Sequence, residues 1–205
     1  MADLLVLEIP LGDVQTLGVL VVDESGSMGR YGNAPPRALE GYLADLREGP
    51  DAAATAATIV TFSSEPRVRI PLCPVRATPR FVPWQPEGGT RLYGAVYDVL
   101  ASLLLRRSAF ANAVVAVFTD GEDNRSSEKR RLALVELATE AQRAGWTLLT
   151  FGIGIDAAAV ARAMGFPDDA AHAKTIPAQA EAIAESIRCS SHITRVTAAS
   201  IRPPR

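Results

Sequence analysis

The chain has 205 residues, 48% of them hydrophobic and 21% charged, which excludes a disordered tract and is enough for one substantial buried core. A formal net charge of −2 excludes the basic footprint of a nucleic-acid binder. The two cysteines, Cys73 and Cys189, lie far apart in sequence and make no disulfide framework, so they read as reduced thiols of a cytoplasmic protein.

No apolar stretch approaches the roughly 20 residues that a membrane span needs. Met1-Ala2-Asp3-Leu4-Leu5 has neither the basic start nor the cleavage site of a signal peptide, so the expected compartment is the cytoplasm and no membrane contact is expected. Strand-like and helix-like runs then alternate, which predicts βαβ units around a mostly parallel sheet. Leu4 to Ile9 reads as an accessory strand, and Val19 to Val22 as the first core strand. A helix is expected over Pro36 to Arg47, where Leu39, Tyr42, Leu43 and Leu46 fall on one apolar face. Thr58 to Ser63 is a strand. Only Ser64-Glu65-Pro66 separates it from Val68 to Leu72, which predicts a hairpin and hence one antiparallel edge.

Pro74 to Gly89 is a proline-rich loop that has to cross the top of the sheet. Arg91 to Arg106 is a helix, and Ala113 to Thr119 a strand without polar alternation, as a strand buried on both faces requires. Ser127 to Ala144 is a helix closed by Gly145, followed by a strand over Trp146 to Gly152 and a short helix over Ala157 to Met164. Ala173 to Ile176 reads as the last strand, and Pro177 as the start of a helix ending near Cys189. Residues 1–189 therefore form the domain and residues 190–205 a polar tail. The expected fold is a three-layer α/β/α sandwich, Rossmann-like, with a mostly parallel central sheet and one antiparallel edge strand.

Three segments carry chemistry. Asp23-Glu24-Ser25-Gly26-Ser27 follows the first core strand directly, Gly88-Gly89-Thr90 opens a helix, and Thr119-Asp120-Gly121 ends another strand. Gly26 lets the backbone bend so that Ser25 and Ser27 face one point, and the Gly88-Gly89 pair lets Thr90 approach it. With Asp23 and Asp120 the set is two carboxylates and three hydroxyls, hard oxygen donors that suit a magnesium-like cation. Such a set leaves a coordination position open to an outside oxygen, and the helix N-terminus after Thr90 is expected to favour an approaching anion. Glu24 alternates to the other side of the backbone and reads as solvent-facing or as support behind the ligands.

The order Asp-x-Ser-x-Ser, Gly-Gly-Thr, Thr-Asp-Gly resembles the von Willebrand factor A (vWA) family and its metal-ion-dependent adhesion site over nearly the whole chain. The resemblance implies a non-enzymatic interaction module in which Asp23, Ser25, Ser27, Thr90 and Asp120 hold Mg2+, with Mn2+ or Ca2+ as alternatives. It also implies a protein partner that supplies a Glu or Asp carboxylate. It suggests two states, with Asp120 ligating directly in one, Thr90 in the other, and the loop Pro86 to Thr90 and the last helix moving between them. Within the family, Pro71 through Trp84 and Gly88-Gly89-Thr90 are similar to stand-alone bacterial proteins, including those of tellurite-resistance and stress operons.

Other readings compete. Ser25 and Ser27 suit an ordinary turn, Thr90 an ordinary helix cap, and Asp120-Gly121 a plain turn. A Mg2+-dependent phosphatase or hydrolase using Asp23 or Asp120 is the alternative function, and a filled but unused structural site is a third. A haloacid-dehalogenase-type enzyme needs a second Asp where this chain has Ser25. Glu122 and Asp123 read as a solvated loop, with Ser126 or Ser127 capping the next helix. Gly152-Ile153-Gly154-Ile155-Asp156-Ala157 mimics a dinucleotide-binding turn but lacks a ribose-binding acid about 20 residues on. His172 and His192 are isolated, and no P-loop is present.

Overall fold

The computed structural model describes Leu5 and residues 11–200. Apart from Leu5, the accessory strand expected over residues 4–9 lies outside the described residues. Among the described residues six strands form one sheet in the order β3-β2-β1-β4-β5-β6: β1 is Thr16–Asp23, β2 Thr55–Phe62, β3 Pro66–Pro74, β4 Asn112–Thr119, β5 Thr147–Ile153 and β6 Ala173–Ile176. All neighbours run parallel except β2 and β3, the hairpin that puts an antiparallel strand at one edge. β1 and β4 lie at the centre, side by side, with Val19 opposite Val115 and Val22 opposite Phe118.

The helices are α1 (Ala34–Glu48), α2 (Leu92–Leu104), α3 (Glu128–Arg143), α4 (Ala157–Met164) and α5 (Ala180–Ser200). Strand periodicity divides the core in two. Leu17, Val19 and Val21 of β1 pack with α2, α3 and α4, whereas Leu20 and Val22 pack with α1 and α5. Every residue of β1 is buried, as the absence of polar alternation predicts. Gly18, between these sets, is small by necessity: a Cβ there would run into the Tyr42 hydroxyl and come within 3.1 Å of Thr194 Cγ2. Among the described residues no helix is long and apolar enough to cross a membrane.

The C-terminal helix corrects the sequence reading. It starts at Ala180 rather than Pro177, because Pro177 to Gln179 form a turn in which the Gln179 N–H donates to the Pro177 carbonyl. It then runs through Ser200, eleven residues beyond Cys189, where a tail was expected. The segment is polar by composition, yet Ser190, Ser191, Thr194 and Ala198 are buried. Its hydroxyls are satisfied within the helix, Ser190 Oγ donating to the Ser186 carbonyl at 3.2 Å and Thr194 Oγ1 to the Ser190 carbonyl at 2.9 Å. Ser191 Oγ also reaches Asp45 of α1 at 2.9 Å. A polar-looking stretch thus buries itself against α1 and β1.

Candidate metal site

The strand order reverses direction between β1 and β4, the place where open α/β sheets leave a crevice beyond the carboxyl ends of their strands. Asp23 ends β1 and Asp120 follows β4, so the topology alone brings both carboxylates to that crevice.

Asp23 is fully buried and held from two sides. Its Oδ1 accepts from the Ser25 N–H at 2.8 Å, and its Oδ2 from Thr119 Oγ1 at 2.7 Å. The turn Gly26–Tyr31 then swings Ser27 back, placing its Oγ 3.1 Å from Ser25 Oγ and donating at 2.7 Å to Asp120 Oδ1. Asp23, Ser25, Ser27 and Asp120 are thereby joined in one hydrogen-bonded chain. Thr90 enters from a third loop. That loop docks on the turn through the Gly26 N–H to Gly88 carbonyl bond of 3.2 Å, with Gly88 at a φ of 76° that only glycine adopts without strain. Thr90 is buried, and its Oγ1 faces the turn after Asp120, 3.7 Å from where a Cβ on Gly121 would stand.

Burial pushes the Asp23 carboxyl up to about 6, its hydrogen bonds from Ser25 and Thr119 opposing and the nearby negative Asp120 adding to the rise. Burial is the main cause, so any positive charge brought to Asp23 would favour its ionised form. Among the described residues no group of three or more His, Cys, Asp or Glu gathers anywhere, so a softer ligand set of that kind is not offered. The donors that do gather are two carboxylates and the Ser25 and Ser27 hydroxyls, with Thr90 buried on the loop docked beside them, an all-oxygen set of the kind a hard divalent cation takes.

Four features escaped the sequence. Arg30 Nη2 donates to Asp120 Oδ2 at 2.6 Å; nothing in the motif marks an arginine three residues past Ser27. Thr119 orients Asp23, a role its place beside Asp120 allowed but did not announce. The arginine cover of Glu24 is the third: of its two expected placements Glu24 takes the one behind the ligands, its side chain completely covered and paired with Arg69 Nη2 at 2.6 Å and with Arg67 Nη1 at 3.6 Å. The antiparallel edge strand supplies both arginines and folds over it. The Glu24 carbonyl also accepts from the Glu87 N–H at 2.9 Å, and Arg67 pairs with Glu87 at 2.8 Å, so Glu24 ties the proline-rich loop down beside Thr90.

The fourth feature concerns the start of α2, whose donors are largely committed. Asp123 Oδ2 accepts from the Tyr93 N–H at 2.7 Å, Ser126 Oγ from the Gly94 N–H at 2.9 Å, and Asn124 Oδ1 from the Thr90 N–H at 3.0 Å. The expected attraction of this helix end for an outside anion is therefore spent on internal partners. Asp123 also accepts from the Arg125 and Ser126 N–H groups at 2.9 and 2.6 Å, which makes it a loop-building residue. Ser127 caps α3. The dinucleotide lookalike is closed in the same way: the Asp156 carboxylate accepts from the Ala158 and Ala159 N–H groups and stands where a phosphate would bind.

The sequence matches the von Willebrand factor type A domain over residues 19–188, most of the chain and all of the site. The chain belongs to the von Willebrand factor type A domain family. Solved structures share the fold at low identity. The open conformation of the pilus adhesin SpaC from Lactobacillus rhamnosus GG aligns with 91% of this vWA chain at 15% identity and a TM-score of 0.66, and the chain spans 30% of SpaC. The vWF domain of the type V pili tip protein Mfa5 from Porphyromonas gingivalis aligns with 94% of the chain and 98% of its own length, at 13% identity and a TM-score of 0.65. Proximal thread matrix protein 1 from the mussel byssus, solved with a zinc-occupied MIDAS motif, aligns with 93% of the chain and 47% of its own, at 13% identity and a TM-score of 0.56. No curated protein sequence matches the chain.

Proposed function

We propose that this vWA domain is a non-enzymatic module that binds an acidic residue of a partner protein through a divalent cation. Asp23, Ser25, Ser27, Thr90 and Asp120 would hold the ion, with Mg2+ as the first candidate and Mn2+ or Ca2+ as alternatives, since an all-oxygen donor set suits each of them. The observation that carries the reading is the joined carboxylate–hydroxyl cluster at the β1/β4 crevice, built around a fully buried Asp23 whose carboxyl burial pushes up to about 6. Family membership supports it, since vWA domains commonly mediate metal-dependent protein interactions, and so does the zinc-occupied site in the byssus protein.

When bound, the ion supplies an electrophilic position for an outside carboxylate. The chain's own residues do the rest. Thr119 and the Ser25 N–H fix Asp23, Ser27 fixes Asp120, and the Glu24 anchor holds the loop that presents Thr90. The hydrolase alternative finds less support. Both oxygens of Asp23 and both of Asp120 are engaged, and Asp123 is given over to backbone N–H groups, so none of the three is poised as a nucleophile or base. The test is calorimetry with MgCl2 followed by capture of partners from a lysate with and without chelator. The wild type is expected to bind metal and Asp23→Ala to lose it. Capture of the same acidic-motif proteins in the presence of chelator would sink the reading.

A further inference from the structure

The site already holds a cation of the chain's own, the Arg30 guanidinium. The Asp120 side chain is fully covered, and both its oxygens are taken: Oδ1 by Ser27, Oδ2 by Arg30. Arg30 differs from its partner in exposure. Its side chain is 55% exposed, and its guanidinium lies 5.0 Å from the ring of Tyr31, which is itself buried. One end of the group is thus bonded in the site while the rest faces solvent at its mouth. Among the described residues it is the one cationic side chain hydrogen-bonded to either carboxylate. On the Thr90 side of the crevice a second arginine flanks the opening: Arg125 Nε lies 2.7 Å from where a Cβ on Gly89 would stand.

We propose that Arg30 is a tethered cation that competes with the divalent ion for Asp120 and, once released, becomes the second clasp on the partner's carboxylate. The proposal rests on the metal-site reading above. With Asp23 and Asp120 ionised, a divalent cation balances both, and Arg30 then adds one uncompensated positive charge at the mouth. That surplus calls for an anion with two oxygens, and a guanidinium's parallel N–H groups match a carboxylate in a way a lysine does not. Asp120 sits too deep to follow a partner outward, whereas Arg30, long and half in solvent, needs only side-chain rotation to exchange one acid for the other. Linkage follows. A partner that holds Arg30 away from Asp120 removes the competitor, so partner and metal each tighten the other's binding by the same factor. Arg30 would therefore make metal loading weak in the free protein and strong in the complex, and would select acidic side chains over neutral oxygen donors.

The experiment uses the full chain, Mn2+ as the metal, and a blocked Gly-Glu-Gly peptide as the carboxylate. Arg30 is exposed and outside the core, so Arg30→Gln should fold as the wild type does. Calorimetry is expected to give about five- to tenfold tighter Mn2+ binding in Arg30→Gln, and at least about fivefold weaker peptide binding to the Mn2+-saturated variant. Arg30→Lys should fall between the two for the peptide, because it keeps the charge and loses the fork. Opposite signs are the signature, since an arginine that merely propped up the turn would weaken both. Mn2+ affinity that is unchanged or lower in Arg30→Gln overturns the competition. Peptide affinity unchanged in Arg30→Gln, or no peptide binding to the Mn2+-saturated wild type, overturns the clasp. A wild type that takes no Mn2+, or an Asp23→Ala that takes it equally well, fails the metal-site reading instead and is distinguishable from both.

Discussion

Asp23 has the Ser25 and Thr119 hydroxyls and the Ser25 N–H to hold its charge, and almost no water to help them. Folded, it keeps its proton to about pH 6; its ordinary value is 3.8. Between those values the metal-free fold binds more protons than the unfolded chain, so the contribution of this group to stability is complete below about pH 3.8 and is lost as pH rises through 6. The gap corresponds to about 3 kcal/mol. Asp23→Asn is expected to flatten that slope, which urea unfolding at pH 4 and pH 7 in chelator would measure; a slope that persists in the variant assigns the titration to another group. Cation binding expels the same proton, so metal affinity should be level above about pH 7 and fall toward tenfold per pH unit below 6. Calorimetry at pH 7.5 and pH 5 checks it, and equal affinities would mean that Asp23 is not among the ligands.

Two elements owe their form to contacts that are distant in sequence. The edge strand β3 covers Glu24 with Arg67 and Arg69, and through Glu87 the loop before Thr90 is fastened to the same carboxylate's residue. Glu24→Ala leaves Arg69, only 21% exposed, without its partner and should cost about 2 kcal/mol while freeing the loop. Faster amide exchange over residues 84–90 in that variant is the expected result, and exchange confined to wild-type rates would show that the prolines alone fix the loop. The second element is the end of α5. Deleting residues 190–205 removes Thr194 and Ala198 from the core, and the melting temperature is expected to drop by about 10 °C. A deletion without effect would restore the reading of this segment as a tail. Gly18→Ala should report on the same packing from the β1 side, losing about 1–3 kcal/mol by forcing Tyr42 and Thr194 apart.

At the scale of the molecule, the parts written as local patterns were legible and the parts written as long-range pairs were not. Unbroken apolar runs in β1 and β4 announced central strands, and a three-residue gap announced the β2–β3 hairpin. Asp23, Ser25 and Ser27 stand at alternate positions of one segment, and only the resemblance of motif order to the vWA family grouped them with Thr90 and Asp120; the structure joins Asp23, Ser25, Ser27 and Asp120 by hydrogen bonds, with Thr90 on a loop beside them. Arg30 could not be found, since its partner lies 90 positions away and no pattern links them. For Glu24 the two readings, solvent or support behind the ligands, stayed open because strand alternation gives the side of a residue but not what later strand will cover it; the structure selects the second. The C-terminal helix was cut short because serines and threonines look like tail until their hydroxyls are seen bonded to carbonyls of the preceding turn. One whole-molecule consequence follows from the site's position. It joins β1, β4 and the loop before α2, which belong to the centre of the sheet, so an ion bound there stabilises the entire fold and not a peripheral loop. At a metal concentration 100 times the dissociation constant the gain is about 2.7 kcal/mol. For a domain of this size that raises the melting temperature by about 5–10 °C. The increase should appear with MgCl2, vanish in chelator, and be absent in Asp23→Ala. Arg30→Gln should enlarge it at sub-saturating metal. A melting temperature indifferent to divalent cations in the wild type, with the fold intact by circular dichroism, would mean that the cluster at the β1/β4 crevice holds together by its own hydrogen bonds and has no ion to wait for.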